Sequence, residues 1–204
     1  MILFFSAVVA LAILIGFAFF IGRQNGDLLR ARAYREFFLR LIPPFSTAVF
    51  VVGLPFVMEQ ARVENYGTVL LVYLGGATVL TILMTRAVAP EERRATKAFQ
   101  NEEYEKAASL YESLISTRPL PRYYSALAAV HDASGNPRAA LEAADQAIKQ
   151  DPKLGIAYFN RGSALFALDE RTRAKSDLET VFRVDSNRQL RNAATEALKT
   201  FRKD

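Results

Sequence analysis

Acid–base, nucleophilic and metal chemistry near neutral pH leans on histidine and cysteine. This chain of 204 residues has one histidine, His131, and no cysteine. No carboxylates cluster with His131 at ligand spacing, so the residues for a metal site are missing, and its place among helix-forming neighbours is that of a packing residue. A lone histidine beside a turn gives no support to a Ser-His-Asp arrangement. Gly75-Gly76 sits inside an apolar run and Gly135 in a polar turn, so neither forms a phosphate-cradling loop. Glu102, Glu103 and Glu105 beside Lys106 read as a solvated helix start, where acids complement the helix dipole. The expectation is no catalytic residue, no metal, no cofactor and no small-molecule substrate.

The elements that carry these residues divide the chain. The net charge is +5 with an isoelectric point near 9.6. Residues 1–85 hold six Arg and four acids, and the remainder 20 basic and 17 acidic residues. Neither part is strongly one-signed, which weighs against a nucleic-acid partner. Without cysteine there is no disulfide framework. Nearly all the long apolar runs lie before Arg86, whereas the rest is built from helix-forming residues with a fixed period. A shift of 34 residues takes Tyr124 to Tyr158, Ala128 to Gly162, Ala140 to Ala174, Ala147 to Val181, Asp151 to Asp185 and Pro152 to Ser186. Such a period marks stacked helix–turn–helix units rather than one closed core.

These residues resemble the tetratricopeptide repeat family. The matching run is Tyr124, Leu127, Ala128, Gly135, Ala140, Ala147 and Pro152 in one unit, and Tyr158, Gly162, Leu165, Ala174, Leu178 and Val181 in the next. The chain departs from the family pattern at Arg161, where Leu is usual, at His131, where an aromatic is usual, and at Ser186, which replaces a Pro. The resemblance implies an all-α superhelix of helix pairs whose inner, concave face, lined by the first helix of each unit, holds extended peptides or partner helices. Carried over residue by residue, that face shows Arg122, Ser125, Ala129 and Asp132, then Phe159, Asn160, Ser163 and Phe166. Glu92, Thr96 and Phe99 extend it. Phe159 and Phe166 stand two turns apart and can form an apolar patch, or else pack against a neighbouring helix; Asn160 can bond a peptide backbone. The basic pair that carboxylate-gripping members spread across several units is not evident, which weighs against a chaperone-tail partner.

Residues 1–22 carry no charged side chain, enough at about 1.5 Å per residue to cross a hydrocarbon core of roughly 30 Å. Basic residues follow this run rather than precede it, so an uncleaved anchor is preferred over a signal peptide. Residues 23–40 form a basic amphipathic loop with Arg23, Arg30, Arg32, Arg35 and Arg40 against Asp27 and Glu36. It suits a membrane surface, or serves only as a helix joining two spans. Residues 41–58 read as a second span, with Pro43 and Pro44 in its first turn and a kink at Gly53 and Pro55; a re-entrant hairpin is the alternative. Residues 65–85 form a cleaner span, with Gly75-Gly76 suited to close helix packing.

Three crossings put both basic flanks, 23–40 and Arg86 to Lys97, on one side, and the acidic connector 59–64 on the other. The positive-inside tendency then places the N-terminus outside and the repeats in the cytoplasm of a bacterial inner membrane. Residues 1–86 thus form the membrane domain and 87–204 the repeat domain. The latter comprises a degenerate repeat over 87–121, repeats over 122–154 and 155–186, and a capping helix over 187–204. Pro90 is expected to begin a helix nearly continuous with the last span. The functional expectation is a non-enzymatic membrane adaptor that holds a protein or peptide partner at the membrane. An accessory subunit of a transporter or envelope-assembly complex is the alternative, disfavoured because the spans lack the ionisable residues of transport paths.

Overall fold

Small side chains decide where the helices of this chain can meet. The computed structural model describes the backbone of residues 2–201 and the side chains of residues 8–201. Met1, assigned to the first span, and residues 202–204, assigned to the capping helix, lie outside the described residues. Among the described residues the chain is helical with no strand, and it falls into two compact units, Met1–Pro90 and Glu91–Asp204.

The first unit holds α1 (Ile2–Gln24), α2 (Gly26–Arg30), α3 (Tyr34–Leu39), α4 (Ile42–Gln60) and α5 (Tyr66–Ala87), with a 3-10 turn at Val63–Asn65. Helix α4 packs on both α1 and α5. By length and apolarity, the stretches Tyr34–Gln60 and Val63–Ala87 are each able to cross a bilayer. The basic loop is two short helices rather than one amphipathic segment. Arg32 turns left-handed (φ 56°), and the amides of Arg32 and Ala33 close back on the carbonyls of Leu29 and Leu28. This closure leaves Leu28 buried and Leu29 exposed.

Helix α4 continues through Pro55. Pro43 and Pro44 occupy its first turn, where a missing N–H costs nothing. The glycine that permits close approach is Gly53, not Gly75-Gly76. A Cβ at Gly53 would lie 2.8 Å from the Tyr73 hydroxyl, whereas Gly75 and Gly76 face open space. That hydroxyl donates to the carbonyl of Phe50 at 2.9 Å, and the Phe50 and Tyr73 rings meet edge-on at 5.8 Å. The expected run-on from α5 into the next helix is broken: Val88 is extended and Ala89 is left-handed (φ 48°). Helix α6 starts afresh at Pro90.

The second unit consists of α6 (Pro90–Gln100), α7 (Tyr104–Thr117), α8 (Pro121–Ala133), α9 (Pro137–Gln150), α10 (Gly155–Ala167), α11 (Arg171–Val184) and α12 (Arg188–Thr200). Its contacts run α7 to α8, α8 to α9, α9 to α10, α10 to α11 and α11 to α12. Ala128, Ala140, Ala144, Ala147, Ala157, Ala164 and Ala174 are all fully buried, because a methyl group is what closely approaching backbones leave room for. Larger side chains fill what remains: Val130, Leu165 and Val181 are each at most 1% exposed, worth about 1.5–3 kcal/mol apiece. Helix α12 closes the end. Its Ala194 joins Leu178 and Val181, with Leu190, Leu198 and Phe201 packed around them, and Asn187 caps its first turn at 2.9 Å.

The period is written in the backbone as well as in the side chains. Glu102, Gly135 and Asp169 are left-handed, with φ of 61°, 77° and 61°. Each is the middle residue of a three-residue turn between paired helices. After each, the next amide reaches back to the helix: Glu103 to Ala98, Asn136 to His131, Glu170 to Leu165, at 2.8–2.9 Å. This is the helix-ending motif that favours glycine. The unit with the degraded sequence therefore shares the turn of the clear ones. An L-residue in that conformation costs about 1–2 kcal/mol, so Glu102→Gly is expected to stabilise the unit by about 1 kcal/mol, read as a higher midpoint in urea.

Candidate partner-binding site

The first helices of successive helix pairs meet one another, α8 with α10. Here those first helices are α6, α8 and α10, and the residues facing across from one to the next are polar. Arg122 at the start of α8 reaches Glu92 of α6 at 3.5 Å, and the neighbouring Tyr123 hydroxyl reaches the same carboxylate at 3.5 Å. The Asn160 amide of α10 donates to the Ser125 carbonyl at 2.7 Å and to its hydroxyl at 3.1 Å. Ser163 donates to Asp132 at 2.6 Å. Thr96 and Tyr111 share a hydrogen bond of 3.1 Å between α6 and α7, and burial raises the Tyr111 pKa above its ordinary value.

Most of the residues assigned to the concave face are thus engaged with one another. Ser125 and Asn160 are buried: they fix the spacing of α8 and α10, and the Asn160 amide is already taken rather than held out for a peptide. Ala129 is half-buried. Phe159 packs against the cluster of Leu178, Val181 and Ala194. Phe166 is the exposed aromatic, 39% accessible, edge-on to Phe201 at 5.0 Å, with the Arg171 guanidinium 5.8 Å from its ring. Both rings of the expected patch thus meet the last two helices, Phe159 in the buried cluster and Phe166 against Phe201 at the end of α12. His131 is half-buried on α8, and no group of metal-binding side chains is found among the described residues.

One cluster was not foreseen. Arg161 forms a two-pronged pair with Asp177 of α11 (2.6 and 2.7 Å) and a third bond to Asp145 of α9 (2.8 Å). Its guanidinium lies 5.5 Å from the Tyr158 ring. Asp177, ahead of Asp145, raises the pKa of Arg161 further above its ordinary value, against the opposing effect of burial. The signal was the departure itself: a cation where the repeat expects Leu needs anions on the helices packed beside it. The cross-helix pairs were readable only as near-period spacings, 35 residues for Ser125–Asn160 and 31 for Asp132–Ser163.

Known proteins bear on this arrangement. Residues 156–188 match the family model of the Tetratricopeptide repeat. The repeat family is supported for that segment. The Protein SGT1 homolog of Oryza sativa subsp. japonica is 35% identical over 98 residues, covering 48% of this chain and 27% of that protein. NADPH oxidase activator 1 of Rattus norvegicus is 31% identical over 86 residues, 42% of this chain and 19% of that one. The chain thus matches about a quarter or less of the length of these relatives. Among solved structures, the first TPR of Spaghetti (RPAP3) bound to HSP90 peptide SRMEEVD is similar, with 22% identity and a TM-score of 0.49. That likeness covers 54% of this chain and 90% of that one.

The Asn160–Ser125 pair sits where α8 and α10 approach. Asn160→Leu would leave the Ser125 carbonyl and hydroxyl buried without their donor. A loss of about 2 kcal/mol is expected, seen as faster amide exchange in α8 and α10.

Proposed function

We propose that this chain is an integral-membrane adaptor. Helices α1, α4 and α5 hold it in a bacterial inner membrane with the N-terminus outside, and the cytoplasmic repeats bind a protein or peptide partner. The observation that carries the membrane part is the surface of α5. None of its most apolar window is buried, and Leu71, Val72, Val79 and Leu83 are 56–74% exposed. So much apolar side chain on a helix with no charged residue between Tyr66 and Thr85 calls for hydrocarbon around it. Orientation follows from the arginines of residues 23–40 and from Arg86.

The partner meets α8 and α10 through Arg122 and Phe166, while the Ser125–Asn160 and Asp132–Ser163 pairs hold the two helices at the right distance. Attachment to a membrane raises effective concentration, so a modest affinity suffices. The role is adaptor rather than catalyst. Photocrosslinking from position 166 in intact membranes tests the binding half. Capture of a defined partner is expected, with at least about a tenfold loss of binding in Phe166→Ala and an unchanged unfolding midpoint. Crosslinks to lipid alone would refute it. A periplasm-active reporter fused after residue 204 should stay silent.

A further inference from the structure

We propose that the α2–α3 segment is a docking surface for anionic phospholipid headgroups. The inference rests on the reading of the first unit as membrane-embedded. Helices α1 and α4 pack together, and only residues 25–41 join the end of one to the start of the other. So short a joint keeps α2 and α3 at the end of an apolar helix hairpin, which in a bilayer is the level of the headgroups.

Three features of this joint fit an anionic surface. By sequence, residues 23–40 carry five Arg and two acids, but the structure sorts them. Asp27 is buried, at 6% exposure, and Glu36 is half-buried, while Arg23, Arg30, Arg32 and Arg35 are exposed. The side chains that face outward are therefore the arginines, with both acids set back. Beside the arginines, Tyr34 and Phe38 are 54% and 63% exposed, the side-chain type that settles between headgroup and acyl chain. Guanidinium groups, finally, bond phosphate oxygens in pairs. A purely acidic peptide would satisfy the arginines but leave the aromatics in water; a lipid satisfies both.

The test uses the full chain in phosphatidylcholine nanodiscs containing a minority of phosphatidylglycerol, with trace spin-labelled lipid of either kind. The motionally restricted fraction reads out which lipid the protein holds. The expected preference for phosphatidylglycerol is at least about threefold, falling toward unity near 1 M salt, where the screening length drops to about 3 Å. Arg23→Gln with Arg32→Gln and Arg35→Gln should abolish the preference. Arg93→Gln with Arg94→Gln and Lys97→Gln, on exposed positions of α6, should leave it. Equal restriction of both lipids by the native chain would overturn the docking surface alone, as would equal loss in both triple variants. Restriction of neither lipid would instead refute the membrane reading beneath it.

Discussion

Asp177→Ala will destabilise the repeat unit by about 3 kcal/mol. The side chain of Asp177 is 9% exposed and that of its partner Arg161 is 22% exposed. Removing the carboxylate strands most of a guanidinium among Tyr158, α9 and α11. Breaking a buried ion pair from one side costs about 3–5 kcal/mol, and the low end applies because Asp145 remains at 2.8 Å as a counter-charge. Asp145 is itself 48% exposed, so solvent screens it, and Asp145→Ala should cost under about 1 kcal/mol. The pair as a whole is a different matter. Desolvation offsets most of its attraction, so Arg161→Leu combined with Asp177→Leu should come out near neutral. Amide exchange separates these cases: about a hundredfold more frequent opening of α10 and α11 in Asp177→Ala, and little change in the double variant. Equal losses in Asp177→Ala and Asp145→Ala would mean that the network is solvated and structurally idle.

The repeats were legible because close helix approach leaves so few choices. Small residues recur at one period, Ala140 with Ala174 and Ala128 with Gly162, since each stands where a larger side chain would force two helices apart; the three alanines are buried, and even a Cβ at Gly162 would meet the Ala174 carbonyl at 3.2 Å. The apolar helices α4 and α5 were legible for a similar reason. A run with no charge over that length has little use in water, and their ends fall within two residues of those expected. What escaped were features set by rotation about a helix axis or by a single backbone angle. Glu102 gives no hint of a left-handed turn, because the motif prefers glycine and tolerates other residues only at a cost. Gly75-Gly76 drew attention by composition, yet the side of α5 that meets α4 is the one carrying Tyr73. The candidate site suffered most. A list of residues on one face does not say whether they look outward or at one another, and Asn160 and Ser163 do the latter.

Gly155 carries that lesson to the start of α10. Helix α10 begins there, and the chain leaving α11 passes directly over it. A Cβ at residue 155 would fall 2.4 Å from the Asp185 Cβ and 2.7 Å from its Oδ2. The nearest obstacle is a Cβ bound to backbone rather than the tip of a flexible side chain, so it can move only if the chain between α11 and α12 moves with it. One period earlier stands Pro121, so the repeat pattern alone does not ask for glycine here; the demand comes from where Asp185 sits. Gly155→Ala is expected to cost about 2–3 kcal/mol from overpacking, reduced only slightly by the better helix propensity of Ala at a first-turn position. Asp185 also accepts the amide of Asn187 at 2.8 Å, so Asp185→Gly alone should cost about 1 kcal/mol. The two changes together should be less damaging than their sum by at least about 1 kcal/mol, because each removes what the other collides with or frees. Urea unfolding of the four proteins closes this cycle. Simple additivity would place Asp185 away from the start of α10 in solution, and with it the path by which α12 reaches its seat on Leu178 and Val181.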